Sequence, residues 1–361
     1  MLIEFLPLLA AFLVALAITP WVRSRAVCWG AVDLPNQRKV HQGAMPRLGG
    51  LVIYLAFVPA ALFSFSFKTP VLGMACGATL ILLLGMVDDV RGLSPRLKLA
   101  GQALAALSVV PFGVRVDFLT NPFNNEILHL GLFAIPVTVF WLVALTNAVN
   151  LIDGLDGLAG GVSCIASLTM AVIALVQFNI FGEAGQLEIV VLSLILAASI
   201  LGFLKYNFYP ASIFLGDSGS MLLGFSLGVI SVMGLTKSAT AISVIIPVVV
   251  MGIPLLDTLL AIVRRYQDQR PIFQPDKQHL HHQLLARGFS HRQAVLSIYG
   301  VSVVMGASAV VMSLLTTNQA MLLLVILATV VLVTANKIGV IGSGVKNKYT
   351  TKEAPGRSSK M

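Results

Sequence analysis

Charged residues are scarce in this chain. Asp, Glu, Lys and Arg make up 11% of its 361 residues, whereas 57% are hydrophobic and the mean hydropathy is +0.91. A soluble protein averages about 25% charged residues. The shortage of charge therefore excludes a water-soluble globular protein and predicts a polytopic membrane protein.

Cysteine is also scarce, and no run of sequence is typical of a soluble domain. The three cysteines show no CxxC spacing, which predicts no disulfide and small buried hydrophobic side chains. Between the apolar runs, the longest polar stretches are 263–292 and 22–48, and the loop 114–131 has room for a short hairpin. We therefore predict a single polytopic domain over 1–345 and a disordered basic cytoplasmic tail over 346–361.

The apolar residues form eleven runs near the length that spans a bilayer, about 17–25 residues each. The runs are continuously apolar and not alternating, which favours transmembrane helices over a β-barrel. The predicted fold class is an all-α integral membrane protein with about eleven transmembrane helices. The runs lie near 2–21, 49–67, 70–87, 98–113, 132–149, 158–180, 187–204, 219–235, 240–262, 293–315 and 319–336.

The basic residues predict how these helices are oriented. If the N-terminus lies outside, 21 of the 24 Lys and Arg residues fall on the inner side. Only Lys68, Arg115 and Lys237 fall outside. Such a bias indicates cytoplasmic loops, and it places the C-terminus in the cytoplasm. It also accounts for the net charge of +9 through topology and membrane lipids, so no nucleic-acid partner is expected.

Five of the fifteen acidic residues stand where apolar runs end. Carboxylates beside hydrocarbon are costly and mark a functional site. Several of them together favour a hard cation, and the glycines beside them favour phosphate. The five are Asp88 and Asp89 in GMVDDVRG, Asp153 and Asp156 in NLIDGLDGLAGG, and Asp217 in FLGDSGS.

Each acidic motif also has a structural interpretation. The Asp88–Asp89 pair could end a helix in headgroup water, although adjacent carboxylates favour a bound cation. Asn150 precedes Asp153 and Asp156 at intervals of three, so a helix would place all three on one face. The glycines of that segment could instead serve helix packing. FLGDSGS could be a plain turn.

Basic motifs accompany the aspartates. RKVHQGAMPRLGG supplies Lys39, His41 and Arg47, and LSPRLKLAGQ supplies Lys98, ten residues after Asp88. Snorkelling towards lipid headgroups would explain two of the cations in the first motif, and Lys98 could be an ordinary inner-edge anchor. The histidine and the PRLGG turn favour a loop that faces phosphate.

DKQHLHHQLL supplies Lys277, His279, His281 and His282. Zinc binding and a solvated loop are both open, but imidazole is a poor ligand for a hard metal. Hydrogen bonding to anionic phosphates is the better use. Asp257, inside an apolar run, either pairs with an arginine or a neighbouring helix or belongs to the site.

Apart from Asp257, the charged groups and histidines of these motifs fall on one predicted face, the cytoplasmic one. A single site on one face indicates an enzyme with a cytoplasmic active site. A nucleotide-sugar or lipid-phosphate transporter would need ionisable groups through the membrane depth and on both faces. A membrane scaffold would not need the complete set of acids.

Together the motifs resemble the polyprenyl-phosphate N-acetylhexosamine-1-phosphate transferase superfamily, of the glycosyltransferase family 4 type. Six segments match in order between Arg38 and Leu285. The closer likeness is to bacterial undecaprenyl-phosphate N-acetylglucosaminyl-1-phosphate transferases, which share the His-x-His-His loop and the PRxGG turn. The related peptidoglycan enzyme, phospho-N-acetylmuramoyl-pentapeptide transferase, has a TPTMGG-like turn that is absent here.

The resemblance implies transfer of GlcNAc-1-phosphate from UDP-GlcNAc to undecaprenyl phosphate, with release of UMP. It implies Mg²⁺, for which Mn²⁺ can substitute, and a place in the bacterial inner membrane at the first membrane step of teichoic acid or O-antigen synthesis. UDP-GalNAc and UDP-MurNAc-pentapeptide remain alternative donors. Relatives suggest a homodimer.

The resemblance also implies residue roles. Asp217 is the principal Mg²⁺ ligand, Asp88 binds or deprotonates the lipid phosphate, and Asp89 supports it. Lys98 faces phosphate. Asn150, Asp153 and Asp156 shape the metal and nucleotide pocket, with both aspartates as further metal ligands. The substrate-binding set also includes Lys39, His41, Arg47, Lys277, His279, His281 and His282.

Overall fold

The computed structural model describes residues 2–33, 44–121, 126–183, 185–235, 245–267, 269 and 279–337. This part of the chain is mostly helical, which confirms the predicted all-α membrane class. The predicted tail, 346–361, lies outside it. The helices are α1 (Leu2–Cys28), α2 (Gly49–Ser64), α3 (Thr69–Arg91), α4 (Pro95–Val109), α5 (Ala134–Ile152), α6 (Leu158–Phe181), α7 (Gln186–Asn207), α8 (Gly216–Leu235), α9 (Ile245–Val250), α10 (Gly252–Gln267), α11 (Leu280–Ala286), α12 (His291–Leu314) and α13 (Thr317–Lys337).

Eight helices of the described residues are long and apolar enough to cross a membrane: α1, α3, α5, α6, α7, α8, α12 and α13. The helix α2 is apolar but shorter, with 16 residues, and α4 has 15. The eleven predicted runs therefore correspond to helices, while a count of eleven spans and the orientation of the termini stay predictions.

The predicted run 240–262 is interrupted in the structure. The helix α9 ends at Val250 and α10 begins at Gly252. Pro254 explains this position, because proline has no N–H and its ring clashes with the carbonyl four residues earlier, that of Val250. A continuous apolar run thus contains two helices.

The helix α8 forms the centre of the bundle. In the most apolar 18-residue stretch of α8, 89% of the residues are buried, against 6% in the corresponding stretch of α13. It packs against α2, α3, α5, α6 and α7. The first turn of α8 carries Asp217, so this aspartate stands at the end of the most enclosed helix.

Two small antiparallel sheets lie between helices. The strand β1 (Val32–Asp33) pairs with β2 (Met45–Pro46), just before α2. The strand β3 (Phe118–Thr120) pairs with β4 (Ile127–His129), as the predicted hairpin in loop 114–131 requires.

The cysteines are unpaired, as the sequence predicts. Cys164 is buried, whereas Cys28 and Cys76 are exposed. The expectation of buried side chains is therefore wrong for Cys28 and Cys76.

Candidate active site

At the N-terminus of α8, the backbones of α2 and α3 contact that of α8 with no side chain between them. A Cβ atom on Gly85 of α3 would lie 2.3 Å from the Cα atom of Ser218, and one on Gly50 of α2 would lie 2.4 Å from the backbone N of Gly219. No real Cβ occupies such positions. The glycines therefore let α2 and α3 fix the first turn of α8, next to Asp217.

Asp89 binds this turn directly. Its Oδ1 accepts the backbone N–H of Asp217 at 2.9 Å, and its Oδ2 accepts that of Ser218 at 3.0 Å. The first N–H groups of a helix have no partner within it, and a carboxylate there is favourable. Gly216, with φ +76°, leaves room for the carboxylate: a Cβ would lie 2.7 Å from it. Both oxygens of Asp89 thus hold α8 in place.

Arg47 contacts both the backbone and the side chain of Asp89. Its Nε donates to the backbone carbonyl of Asp89 at 3.0 Å and lies 3.8 Å from Oδ1. Its Nη1 lies 3.6 Å from Oδ1 of Asp33, a residue that the sequence reading missed because no motif surrounds it. In the structure, Arg47 contacts the C-terminal end of α3. Its role in binding substrate stays a prediction.

Lys98 joins two of the predicted carboxylates. Its Nζ lies 2.5 Å from Oδ2 of Asp88 and 3.2 Å from Oδ1 of Asp217. The other oxygen of Asp88 accepts the backbone N–H of Leu93 at 2.6 Å, just past the end of α3. These three charged side chains come from α3, α4 and α8, and the lysine offsets part of the repulsion between the two carboxylates.

Asn150 completes the contacts of Asp217. Its Nδ2 donates to Oδ1 of Asp217 at 2.6 Å. About one turn earlier on α5, Asn147 donates to Oε1 of the buried Gln102 at 2.6 Å. Because Gln102 follows Lys98 by one turn on α4, this amide pair fixes the two helices that present Lys98 and Asn150.

Asp153 and Asp156 follow α5. Burial, with the charges of Asp217, Asp89 and Asp156, raises the pKa of Asp153 well above its ordinary value. Asp156 is partly committed, because its Oδ2 accepts the backbone N–H of Ala211 at 3.0 Å. The carboxylate of Asp153 is therefore the better placed of the two for a cation.

The histidine motif reaches the same loop from α11. A Cβ on Gly154 would lie 2.1 Å from Nε2 of His281, so the buried ring rests on this glycine. Burial and the neighbouring His282 lower the pKa of His281 to about 3, which keeps its ring neutral at pH 7. His279 pairs with Asp257 of α10, in agreement with the expectation that Asp257 contacts a neighbouring element.

Tyr299 of α12 was missed from the sequence. Its hydroxyl donates to the carbonyl of Gly157 at 2.5 Å, and a Cβ on Gly161 would overlap the same hydroxyl. Gly157 itself has φ +77°. The glycines of NLIDGLDGLAGG thus serve close packing, the alternative interpretation of that segment.

Three predicted residues cannot be placed, since Lys39, His41 and Lys277 lie outside the described residues. Among the residues that are described, no three His, Cys, Asp or Glu side chains form a metal-binding group. Asp153, Asp156 and Asp217 therefore stay predicted metal ligands.

Comparison with known proteins identifies the family. Residues 71–235 match the model described as glycosyl transferase family 4. A Bacillus subtilis protein named probable undecaprenyl-phosphate N-acetylglucosaminyl 1-phosphate transferase is 42% identical over 339 residues, 94% of this chain and 93% of its own. The chain belongs to glycosyl transferase family 4.

Two further relatives extend this family 4 likeness. A decaprenyl-phosphate N-acetylglucosaminephosphotransferase of Mycolicibacterium smegmatis is 37% identical, covering 81% of this chain and 77% of its own. An undecaprenyl-phosphate alpha-N-acetylglucosaminyl 1-phosphate transferase of Yersinia pestis is 30% identical, covering 81% and 79%. Membership in family 4 confirms the resemblance read from the six motifs, and it makes the chain a multi-pass membrane transferase.

Proposed function

We propose that this family 4 enzyme transfers GlcNAc-1-phosphate from UDP-GlcNAc to undecaprenyl phosphate and releases UMP. The reaction takes place at the cytoplasmic face of a bacterial inner membrane, as the first membrane step of a cell-envelope glycan such as teichoic acid or O-antigen. The names of the relatives support the sugar and the lipid. The charge bias of the loops supports the face.

One observation carries the proposal: Lys98 lies between Asp88 and Asp217 at the ends of three helices. Phosphoryl transfer depends mainly on positioning and on stabilising charge. The two substrates are both anionic and must approach each other, so the site needs charged groups held at fixed positions. We infer that Lys98 binds a phosphate and that Asp88 holds or deprotonates the acceptor.

The residues present fit Mg²⁺. This ion is bound through one or two carboxylates, with waters and substrate phosphates completing the octahedron. The side chain of Asp217 is 30% exposed. Burial and then the neighbouring carboxylates raise the pKa of Asp153, and a bound cation would relieve the repulsion between these carboxylates. When bound, Mg²⁺ would screen the donor diphosphate and the charge on the leaving UMP.

We prefer direct attack to a two-step route. An acceptor phosphate oxygen bonds to the phosphorus that carries the sugar, and the bond from that phosphorus to the bridging oxygen breaks. UMP leaves with the electron pair. A labelled phosphoryl-enzyme trapped in the absence of acceptor would instead establish the two-step route.

The decisive experiment incubates purified protein with Mg²⁺, undecaprenyl phosphate and labelled UDP-GlcNAc, and measures UMP. UDP-GalNAc and UDP-MurNAc-pentapeptide run in parallel, because discrimination of the C4 epimer rests on a few hydrogen bonds. We expect release with UDP-GlcNAc, loss with EDTA and recovery with Mg²⁺ or Mn²⁺. Absence of UMP with every UDP-sugar would reject the enzymatic proposal and leave the transporter and the scaffold.

A further inference from the structure

A buried acid–histidine pair lies beside the site. Asp257, inside α10, is 3% exposed, and His279, just before α11, is 6% exposed. Oδ2 of Asp257 lies 2.8 Å from Nδ1 of His279, and Oδ1 accepts the backbone N–H of Leu280 at 2.9 Å. Both carboxylate oxygens therefore hold the start of the histidine motif.

This contact selects which ring nitrogen faces a ligand. A carboxylate accepts hydrogen bonds and donates none, so Nδ1 of His279 carries the hydrogen. Within the described residues no hydrogen bond reaches Nε2. The ring lies parallel to that of His281, at 5.9 Å between centroids, and His281 rests on the loop that carries Asp153. Nε2 is the atom left for substrate.

We propose that Asp257 is a positioning residue, which fixes the ring and the tautomer of His279 so that Nε2 accepts a hydrogen bond from a hydroxyl or amide N–H of the donor sugar. This inference rests on the proposed function. A carboxylate that orients a functional histidine commonly acts in this way, and an amide in its place favours the wrong tautomer.

The first test is a double-mutant cycle on the rate of UMP release. Asp257→Asn keeps an oxygen for the N–H of Leu280 but opposes the Nδ1–H of His279, and it should lower the rate about 10- to 100-fold. His279→Ala should cost at least as much. If Asp257 acts through His279, the double variant is no slower than His279→Ala. Additive losses, or an active His279→Ala, would overturn the inference.

A second pair of variants does not depend on how Asp257→Asn folds. The amide group of His279→Asn superposes on Nδ1, and that of His279→Gln superposes on Nε2, where its oxygen can accept the same hydrogen bond. We expect the Gln variant to keep at least about tenfold more activity than the Asn variant, because only Gln reaches the ligand. Equal activities, or the reverse order, would contradict an active Nε2.

Controls separate this inference from the proposed function. Asp117→Asn is the matched substitution, since Asp117 is a half-exposed partner of Arg115 outside the site, and it should leave the rate unchanged. Wild-type protein that releases no UMP rejects the proposed function. An active wild type with an additive cycle rejects the role of Asp257 alone.

Discussion

The two halves of the site are built in different ways. The acidic half lies on α3, α4, α5 and α8. Backbone packs on backbone where Gly85 of α3 and Gly50 of α2 meet the first turn of α8. The histidine half, on α10, α11 and α12, reaches the 153–157 loop through side chains, the ring of His281 and the hydroxyl of Tyr299. Backbone contacts leave little room for adjustment, whereas side chains can shift at lower cost.

This difference separates two tasks. The groups that handle the reacting phosphates need fixed distances, and catalysis falls steeply when such groups move by about 1 Å. The groups that recognise a donor can tolerate small shifts. We therefore expect damage to the acidic half to lower kcat or stability, and damage to the histidine half to act more on KM.

The largest effect should come from Asp217→Asn. The amide keeps the shape of the side chain but removes the charge that faces Lys98 and the proposed cation. We expect kcat to fall about 10³-fold, as for loss of a central electrostatic group. UMP release measures the loss, and an unchanged melting temperature shows that the protein still folds. Activity above one tenth of wild type would remove Asp217 from the metal role.

Next in size is a contrast between neighbours. Asp88→Asn should lower kcat about 10²-fold with little change in melting temperature, because Asp88 meets Lys98. Asp89→Asn should destabilise the fold, since an amide N–H₂ would face a backbone N–H of α8 and leave it unpaired, which costs about 1–3 kcal/mol. Identical behaviour of the two variants would refute this division of roles.

Gly85→Ala tests the backbone packing of the acidic half. Its Cβ would lie 2.3 Å from Ser218, and we expect a loss of about 1–3 kcal/mol in the free energy of unfolding. Gly300→Ala is the matched control, a helical glycine with nothing within 4 Å, and it should be neutral or stabilising by up to about 1 kcal/mol. Thermal unfolding in detergent compares them. Equal melting temperatures would show that the helices separate easily.

The smallest effect belongs to Tyr299→Phe in the histidine half. Loss of the hydrogen bond to Gly157 should cost about 0.5–1.5 kcal/mol and raise KM for the nucleotide sugar several-fold, with kcat nearly unchanged. Tyr266→Phe, at a 79% exposed position, is the control. A fall in kcat with constant KM would place Tyr299 with the acidic half instead.

The sequence predicts the helices and the meeting of the carboxylates because both follow from long apolar runs and charge bias. It does not predict the separate uses of Asp88 and Asp89. Neighbours on a helix point about 100° apart, so one meets Lys98 and the other meets the first turn of α8. Which direction faces which helix depends on packing.

Long-range side-chain contacts escape the sequence for a similar reason. Tyr299 and Gly157 are 142 residues apart, and neither residue carries a motif that points to the other. A glycine in the sequence does not show what it makes room for. The sequence predicts that Gly154 and Gly216 lie beside phosphate, but in the structure Gly154 leaves room for the ring of His281 and Gly216 for the carboxylate of Asp89. Only the folded structure shows whether the space beside a glycine is filled by a ligand or by another side chain.

The hydrogen bonds that join Asp89 to the first turn of α8 have a consequence for how the protein is inserted into the membrane. The partner N–H of Asp89 lies 128 residues later in the chain. At about 5–20 residues per second, the ribosome needs on the order of ten seconds to deliver that partner. Arg47 is synthesised earlier, 42 residues before Asp89, and can accompany the newly inserted carboxylate through that interval. Arg47 would then pair with the charge of Asp89 during membrane insertion, before α8 exists, and keep the same contact in the folded enzyme.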